Sequence, residues 1–332
     1  MTDAGRILAE EIQREGPIPF RRFMEVALYH PKFGYYTRGK DPFGRAGDFY
    51  TAEQIQPVFG ILMARYIRSL FDEMGGGTGV VVELGAGRQE MKLFLPDLEY
   101  IPIEAGKGAM PVRFSGVVFA NEFFDALPVD VAVLRKGQYR QMLVDFDGSG
   151  FVWRDGSVVK PEVREYLHRF AAAEEEGCIR EVHLESLAWV GKISAALEHG
   201  FLIVIDYGYT RRELVRFPRG TLMSYRRHVA SEDVLQDPGE RDITSHVLFT
   251  AIEEAAAAKG FHTAAFESLS RTLLRAGEAD RFASVLEGVS ESEQLRRRLQ
   301  LKTLLFGMGE TFRTLVLGRA QNKSGPDSPG PL

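Results

Sequence analysis

Short apolar runs, each the length of a single β-strand, recur along the central part of the chain. Stretches with helical apolar spacing separate several of them, for example around Leu184, Val190 and Leu197. Strands that alternate with helices and are apolar on both faces are typical of parallel sheets. The pattern therefore predicts an α/β fold with a mostly parallel sheet. Its strands are expected at residues 80–82, 100–103, 116–120, 131–134, 201–205 and 313–317.

The chain divides into three regions around this pattern. We expect an N-terminal helical and loop region packed on the core (1–75), a core with insertions (76–320) and a disordered tail (321–332) that is rich in proline and glycine. Within the core, Asp147-Gly148 and Asp155-Gly156 are turn signals that predict an antiparallel excursion over residues 137–159.

The N-terminal segment bears on location. Residues 1–16 have the pattern of an amphipathic helix, with neither the basic start and apolar centre of a secretory signal nor the acid-poor composition of a transit peptide. We therefore expect a cytoplasmic protein.

Composition and charge exclude several classes of protein. The chain has 332 residues and a formal net charge of −5, so it lacks the basic surface of a dedicated nucleic-acid-binding protein. Its longest clean apolar run, residues 201–205, is far shorter than the ~20 residues that span a bilayer. One cysteine, Cys178, allows no internal disulfide. The seven histidines show no metal-ligand spacing, so we predict no metal site.

The sharpest local signal is the sequence VVVELGAG at residues 80–87, a predicted strand that ends in Gly-x-Gly. Such a turn brings the backbone close to a ligand at the carboxyl end of a sheet. A dinucleotide would require a third glycine where this chain has Glu90. S-adenosyl-L-methionine (SAM) carries no phosphate, and the carboxylate of Glu83 suits its cationic aminoacyl end. The turn favours SAM over a nicotinamide dinucleotide, although glycine pairs also occur in turns that bind nothing.

Three more groups of polar residues follow predicted strands. Glu104 ends the strand at 100–103, where an acid can accept hydrogen bonds from ribose hydroxyls. Asn121, Glu122 and Asp125 follow the strand at 116–120, and Asp206 and Tyr207 follow the strand at 201–205. Polar groups at neighbouring strand ends predict one ligand site at that edge of the sheet.

Several motifs, in one order over roughly residues 28–310, resemble those of the MidA-type SAM-dependent methyltransferases, which are related to the mitochondrial complex I assembly methyltransferase. The matching segments are YHPKFGYY (29–36), GDFYT (47–51), ELGAG (83–87), NEFFDALPV (121–129), DYG (206–208), GTLMSY (220–225) with His228, and DITSHV (242–247). The resemblance implies a class I methyltransferase fold, Rossmann-like with a mostly parallel sheet and an added N-terminal region. It also implies SAM as methyl donor, a protein substrate and, in the mitochondrial branch, methylation of arginine in complex I subunits or assembly partners.

Strand-end placement and the resemblance together give the candidate site residues. We expect catalytic roles for Asn121, Glu122 and Asp125, because carboxylates can orient a protonated guanidinium. Cofactor binding is expected from Glu83, Gly85, Gly87, Glu104 and Asp48. Substrate binding is expected from Phe123, Asp206, Tyr207, His228 and His246.

The chain also departs from the family pattern near the cofactor. Arg88-Gln-Glu90 replaces the usual continuation of the glycine motif, and Leu248 replaces an acid or amide. Only 16 residues separate Gly87 from Glu104, and 16 more separate Glu104 from Asn121, so both helical crossovers are expected to be trimmed. These departures keep open a non-catalytic assembly protein with a degenerate methyltransferase fold.

The C-terminal leucines leave oligomeric state open. Leu299, Leu301, Leu304, Leu305 and Phe306 could form a helix interface between copies of the chain, or pack on the core of their own copy.

Overall fold

The structure is a computed structural model, and it describes residues 1–39, 56–77 and 79–321. The helices are α1 (Asp3–Glu15), α2 (Phe20–Tyr29), α3 (Val58–Glu73), α4 (Pro161–Phe170), α5 (Leu184–Ala196), α6 (Phe249–Ala257), α7 (Leu269–Glu278), α8 (Ala283–Leu286), α9 (Glu291–Thr303) and α10 (Gly309–Thr311). The strands are β1 (Ile18–Pro19), β2 (Val80–Leu84), β3 (Glu99–Ile103), β4 (Phe114–Asn121), β5 (Asp130–Arg135), β6 (Gln138–Phe146), β7 (Phe151–Val158), β8 (Ile179–Val182), β9 (Leu197–Tyr209), β10 (Met223–Arg226), β11 (Val229–Ser231), β12 (Asp242–Thr244), β13 (Val247–Leu248), β14 (His262–Ser268) and β15 (Phe312–Arg319).

The central sheet has the strand order β14-β15-β9-β4-β2-β3, with β13 also pairing with β9. Strands β3, β2, β4 and β9 run parallel, whereas β15 is antiparallel to both β9 and β14. This arrangement confirms the predicted α/β fold with a mostly parallel sheet. The turns that follow β2, β3 and β4 therefore meet at one edge of the sheet.

Apolar side chains cover both faces of this sheet. On one face, Phe59, Leu62 and Met63 of α3 pack against Val117 and Phe119 of β4 in a cluster that also includes residues of α7. On the other face, residues of α5 and α6 pack against the remaining side chains of β4 and β9. Burial of each large apolar side chain contributes about 1.5–3 kcal/mol. The strands are hence continuous apolar runs in the sequence because neither face is exposed to water.

A second, antiparallel sheet carries the predicted excursion. It has the order β1-β6-β5-β8, and β7 also pairs with β6. The turn at Asp147 is confirmed, since its carboxylate accepts hydrogen bonds from the backbone N–H groups of Ser149 and Gly150. The turn predicted at Asp155-Gly156 is wrong. Both residues lie inside β7, at a register shift against β6, so the glycine marks a β-bulge.

The N-terminal helices pack on this second sheet. Leu8 of α1 and Phe20 and Phe23 of α2 share a buried cluster with Val131 of β5 and Val144 of β6. The predicted strand at residues 131–134 is therefore a strand of the second sheet.

The two trimmed crossovers, both inside the described range 79–321, contain no α-helix. Only a 3₁₀ helix, Glu90–Phe94, lies between β2 and β3, and residues 104–113 between β3 and β4 form neither helix nor strand. Gly106 and Gly108 have φ of +73° and +78°, and Pro111 follows, which disfavours a helix there.

The C-terminal leucines divide between core and surface. A short π-helix, Leu304–Met308, follows α9, and Leu304 and Leu305 are buried within it. Leu299 and Phe306 are exposed. Within the ranges described above, no helix has the length and apolar character needed to cross a membrane. The predicted tail lies outside the described residues from position 322 onward.

Candidate functional site

A cavity of about 1610 Å³ opens at the carboxyl edge of the central sheet. Its walls come from the turns after β2, β3 and β4, from the end of β9, from α5 and from the N-terminal region. It brings together most of the residues that the sequence predicted for the site. These are Gly85, Gly87, Glu104, Asn121, Glu122, Phe123, Asp125, Tyr207 and His246.

The glycine turn after β2 lies against the ends of β3 and β4. Gly85 has a φ of +67°, and its N–H donates to the carbonyl oxygen of Ile103 at 2.8 Å. A side chain at Gly85 would place its Cβ 3.1 Å from the Phe123 ring. Gly87 has a φ of +47°, and its N–H donates to the Glu104 carboxylate. A side chain at position 85 would therefore be strained and would crowd the Phe123 ring.

An apolar wall lies beside this turn. Phe123 and Trp189 of α5 meet edge to face, with ring centroids 5.1 Å apart. The Lys192 ammonium lies 4.3 Å from the centroid of the Trp189 ring. Met110, from the segment between β3 and β4, packs on the same core cluster. Trp189 and Met110 were not predicted as site residues, although Trp189 is one of only two tryptophans in the chain.

The turn after β4 holds the predicted catalytic residues. Glu122 has a φ of +50°, unusual for a residue other than glycine, and its N–H donates to the carbonyl oxygen of Ile205 at 2.9 Å. The Asn121 amide nitrogen lies 3.4 Å from the Glu122 carboxylate. Asn121 Oδ1 and Asp125 Oδ1 are buried and accept no hydrogen bond from the residues that the structure describes. Both atoms are hence available as acceptors.

The buried Asp125 and the partly buried Tyr207 form a hydrogen-bonded pair in this wall. The Tyr207 hydroxyl donates to Asp125 Oδ2. Burial raises the pKa of Asp125 to about 6, against the opposing effect of the Tyr207 hydrogen bond. Burial and the neighbouring Asp125 charge raise the pKa of Tyr207, so its phenol stays protonated and remains a donor.

Four of the predicted site residues are not placed at the cavity. Glu83 lies inside β2, where its buried carboxylate accepts a hydrogen bond from the Tyr100 hydroxyl. Asp206 lies inside β9 and is fully buried, because this strand continues four residues beyond its predicted end. His228 is in the turn between β10 and β11, outside the lining. Asp48 falls outside the described residues.

The N-terminal region supplies an aromatic and acidic wall that was not predicted. Tyr29 and Tyr36 stack with ring centroids 5.6 Å apart. The Tyr29 hydroxyl donates to the carbonyl oxygen of Ala126, and the Tyr36 hydroxyl donates to Asp242 Oδ1, both at 2.8 Å. Tyr225 completes this side of the cavity. The family motifs at 29–36, 220–225 and 242–247 contain the three tyrosines and Asp242, and were the signal that could have found them.

His246 packs beside Tyr207, the hydrogen-bond partner of Asp125. Its ring centroid is 5.3 Å from that of Tyr207 and 5.5 Å from that of Phe217. Burial lowers the pKa of His246, so its imidazole is neutral at pH 7.

Comparison with known proteins assigns the family. Residues 94–267, just over half of the chain, match the model of a family described as "Putative S-adenosyl-L-methionine-dependent methyltransferase". The chain belongs to this methyltransferase family. It is 30% identical to a Burkholderia thailandensis superfamily member solved with bound S-adenosyl-homocysteine, with a TM-score of 0.83. That match covers 96% of this chain and 92% of the other.

Two curated relatives are similar to this methyltransferase over most of its length. The first is "Protein arginine methyltransferase NDUFAF7 homolog, mitochondrial" of Drosophila melanogaster, 27% identical over 76% of this chain and 70% of the relative. The second is "Protein arginine methyltransferase NDUFAF7, mitochondrial" of Homo sapiens, 26% identical over 76% of this chain and 69% of the relative.

The cofactor of this methyltransferase is SAM, and the residues at the glycine turn fit it. Gly85 and Gly87 line the cavity without side chains, so a ligand can approach the backbone of the turn. A carboxylate has about four acceptor positions, so Glu104 can accept from Gly87 and still bind ribose hydroxyls. Met110, Phe123 and Trp189 offer an apolar surface for the adenine ring.

Proposed function

We propose that this methyltransferase transfers a methyl group from SAM to a side-chain nitrogen of arginine in a protein substrate. The observation that carries the proposal is the hydrogen-bonded Asp125–Tyr207 pair beside Asn121 and Glu122, in the same cavity as the Gly85–Gly87 turn. The names of the two curated relatives support arginine as the acceptor.

Positioning is the main task of the residues around the acceptor. When bound, SAM supplies an electrophilic methyl group, and the acceptor nitrogen must approach it in line within about 3–3.5 Å. A guanidinium carries only N–H donors, and its pKa lies above about 12. Asn121 Oδ1 and Asp125 Oδ1 are two acceptors that can bind these N–H groups and fix the orientation of the nitrogen.

Asp125 also suits the removal of the proton that a guanidinium nitrogen loses on methylation. With a pKa of about 6, its carboxylate is mostly ionised at pH 7 and yet more basic than an exposed aspartate. The Tyr207 hydroxyl holds Oδ2, which leaves Oδ1 for the substrate. Glu122 adds negative charge to the same wall, where positive charge spreads over the acceptor.

The tyrosines of the N-terminal wall favour a cationic substrate as well. Aromatic rings attract guanidinium and ammonium groups by cation–π interactions, worth about 0.5–2 kcal/mol according to desolvation. Tyr29, Tyr36 and Tyr225 line the cavity together with the buried carboxylate of Asp242. This combination selects cationic side chains over neutral ones.

The same proposal covers the acceptor protein and the location of the enzyme. We propose a subunit or assembly partner of respiratory complex I as the first acceptor to test, because of the resemblance to the complex I assembly methyltransferase. A cytoplasmic location stays a prediction from the N-terminal segment, while the curated relatives are named as mitochondrial.

The test is methyl transfer to matched peptides. The protein is incubated with methyl-labelled SAM and with peptides that differ only in one position, arginine, lysine or citrulline. We expect label in the arginine peptide alone, recovered as methylarginine after hydrolysis. Label in the lysine peptide alone would overturn the arginine assignment and keep the methyltransferase.

A non-catalytic scaffold is the second candidate, and the crossovers favour it. The segments between β2 and β3 and between β3 and β4 are described and contain no α-helix, so no crossover helix encloses the cofactor region there. A folded chain that neither binds SAM nor methylates any complex I subunit would support the scaffold.

A further inference from the structure

Asp206 lies directly behind the wall of the cavity. Its side chain is fully buried, three residues before the end of the central strand β9. Asp206 Oδ2 accepts hydrogen bonds from the backbone N–H groups of Phe124 at 3.1 Å and Asp125 at 3.2 Å. Its other oxygen, Oδ1, accepts from the N–H of Tyr207 at 3.1 Å. One carboxyl group thus ties the turn after β4 to the end of β9.

We infer that Asp206 is a positioning residue, which holds the turn of residues 121–125 so that Phe123 and Asp125 face the cavity together. This inference rests on the proposed function only for the role of Asp125. The cofactor-side role of Phe123 depends on the family's use of SAM alone. Sequence reasoning had given Asp206 a direct contact with substrate, and its complete burial leaves no surface for one.

The turn needs such an anchor because its own backbone does not form a regular element. Glu122 adopts a left-handed conformation with a φ of +50°, and Phe124 and Asp125 are both buried. Without Asp206, the N–H groups of Phe124 and Asp125 would be buried with no acceptor, which folded proteins avoid. Two further bonds, from Glu122 N–H to Ile205 and from Ser245 N–H to Asp125, fix the remaining backbone of the turn.

The anchor acts on both halves of the site. On the cofactor side, the Phe123 ring lies against Gly85 and contacts Trp189. On the acceptor side, Asp125 receives the Tyr207 hydroxyl, and Tyr207 itself follows Asp206 in the chain. A small displacement of the turn would therefore move cofactor and acceptor groups at once.

Charge considerations select the variant that should rescue the site. Burial, with repulsion from Asp125 and Glu122, raises the pKa of Asp206 well above its usual range. The amide of asparagine matches a carboxyl group in shape and carries no charge. The substitution D206N would keep one carbonyl oxygen to accept from Phe124 and Asp125 and would lose the acceptor for the N–H of Tyr207, whereas D206A would keep no acceptor.

The test compares D206A and D206N with a matched control, Glu181. Like Asp206, Glu181 is buried and accepts two backbone hydrogen bonds, from Thr221 and Leu222, but it does not line the cavity. Two quantities are measured in each variant. They are the amide hydrogen exchange of Phe124 and Asp125 in the free protein, and the calorimetric affinity for S-adenosyl-homocysteine.

We expect D206A to exchange the two amides at least about tenfold faster and to bind S-adenosyl-homocysteine at least about tenfold more weakly. D206N should stay within about threefold of the natural protein in both quantities. E181A should lower the Tm and leave both quantities unchanged, although Thr221 also accepts a hydrogen bond from the N–H of His246 on the acceptor side.

Three outcomes would overturn the inference. The first is a D206A variant whose amide exchange and affinity for S-adenosyl-homocysteine equal those of the natural protein. The others are an E181A variant that exchanges and binds as poorly as D206A, and a folded D206N variant with fast amide exchange and weak affinity. Because D206N keeps an acceptor, it tests the inference even if D206A does not fold. The exchange measurement needs neither cofactor nor acceptor, so failure of the arginine proposal would leave it intact.

Discussion

Asp125 brings together, in a single side chain, the burial, the hydrogen bond and the position that acceptor chemistry requires. Its raised pKa of about 6 means that the carboxylate is ionised at pH 7 and is protonated as the pH falls below that value. Methyl transfer should therefore decline on the acidic side of about pH 6. Asp125→Asn should reduce kcat by about 100-fold or more, since a positioned base contributes 10²–10⁴-fold. The measurement is kcat against pH with an arginine peptide.

The stability of this variant provides the control. A carboxyl group whose pKa is higher in the folded than in the unfolded state favours folding less as the pH rises through the folded pKa. A shift from 3.8 to about 6 corresponds to a cost of about 3 kcal/mol at pH 7. Asp125→Asn should hence keep or raise the Tm at pH 7 while activity is lost. If Asp125→Asn stays active and its kcat still declines below about pH 6, the role of Asp125 is contradicted.

Single residues also show where sequence reasoning reached its limit. The end of β4 was predicted to within one residue, and Asn121, Glu122 and Asp125 line the cavity. The ends of β2 and β9 were set too early, so Glu83 and Asp206 became strand residues. Because side chains alternate across a strand, Tyr207 lines the cavity while Asp206 is buried behind it. Apolar runs indicate a strand but not its last residue.

Among the elements, α5 contributes a reporter for the cofactor. Trp189 lies on the cavity wall, whereas the other tryptophan, Trp153, packs against Phe20 in the cluster under the N-terminal helices. If adenine binds beside Phe123 and Trp189, S-adenosyl-homocysteine should change the fluorescence of Trp189. We predict saturable quenching in Trp153→Phe, which leaves Trp189 as the only tryptophan.

Trp189→Phe is the matched variant for this measurement. It keeps an aromatic ring on the wall and leaves only Trp153 to fluoresce, so the titration should produce no signal. Quenching of equal size in both variants would mean that the ligand changes the whole fold and does not bind beside α5.

The strands were predictable because both faces of the central sheet are buried, which leaves continuous apolar runs in the sequence. Their assignment to two sheets was not, since the run at β5 looks like the others and pairs with β6 and β8 through its backbone. Asp155-Gly156 shows the same limit, because a glycine in a bulge and a glycine in a turn have the same sequence signal.

At the scale of the whole molecule, the site depends on contacts between segments far apart in sequence. The Tyr36 hydroxyl reaches Asp242, and the Tyr29 hydroxyl reaches Ala126. No local pattern predicts these pairings, which is why the N-terminal wall was not predicted, although the family motifs contain its tyrosines. The site residues at the edge of the sheet were predictable from the sequence, whereas those of the N-terminal wall are identified only from the fold.

We predict that this cavity binds SAM at the glycine turn, with the acceptor side separate from it. Calorimetric titration with SAM, and with NADH in parallel, tests this claim most directly. We predict micromolar binding of SAM, none of NADH, unchanged affinity in Asp125→Asn and at least about tenfold weaker affinity in Gly85→Ala. The last effect follows because a left-handed residue with a Cβ costs about 1–2 kcal/mol and would crowd Phe123. A folded chain that binds no SAM, or that binds NADH instead, would contradict a SAM site at the glycine turn.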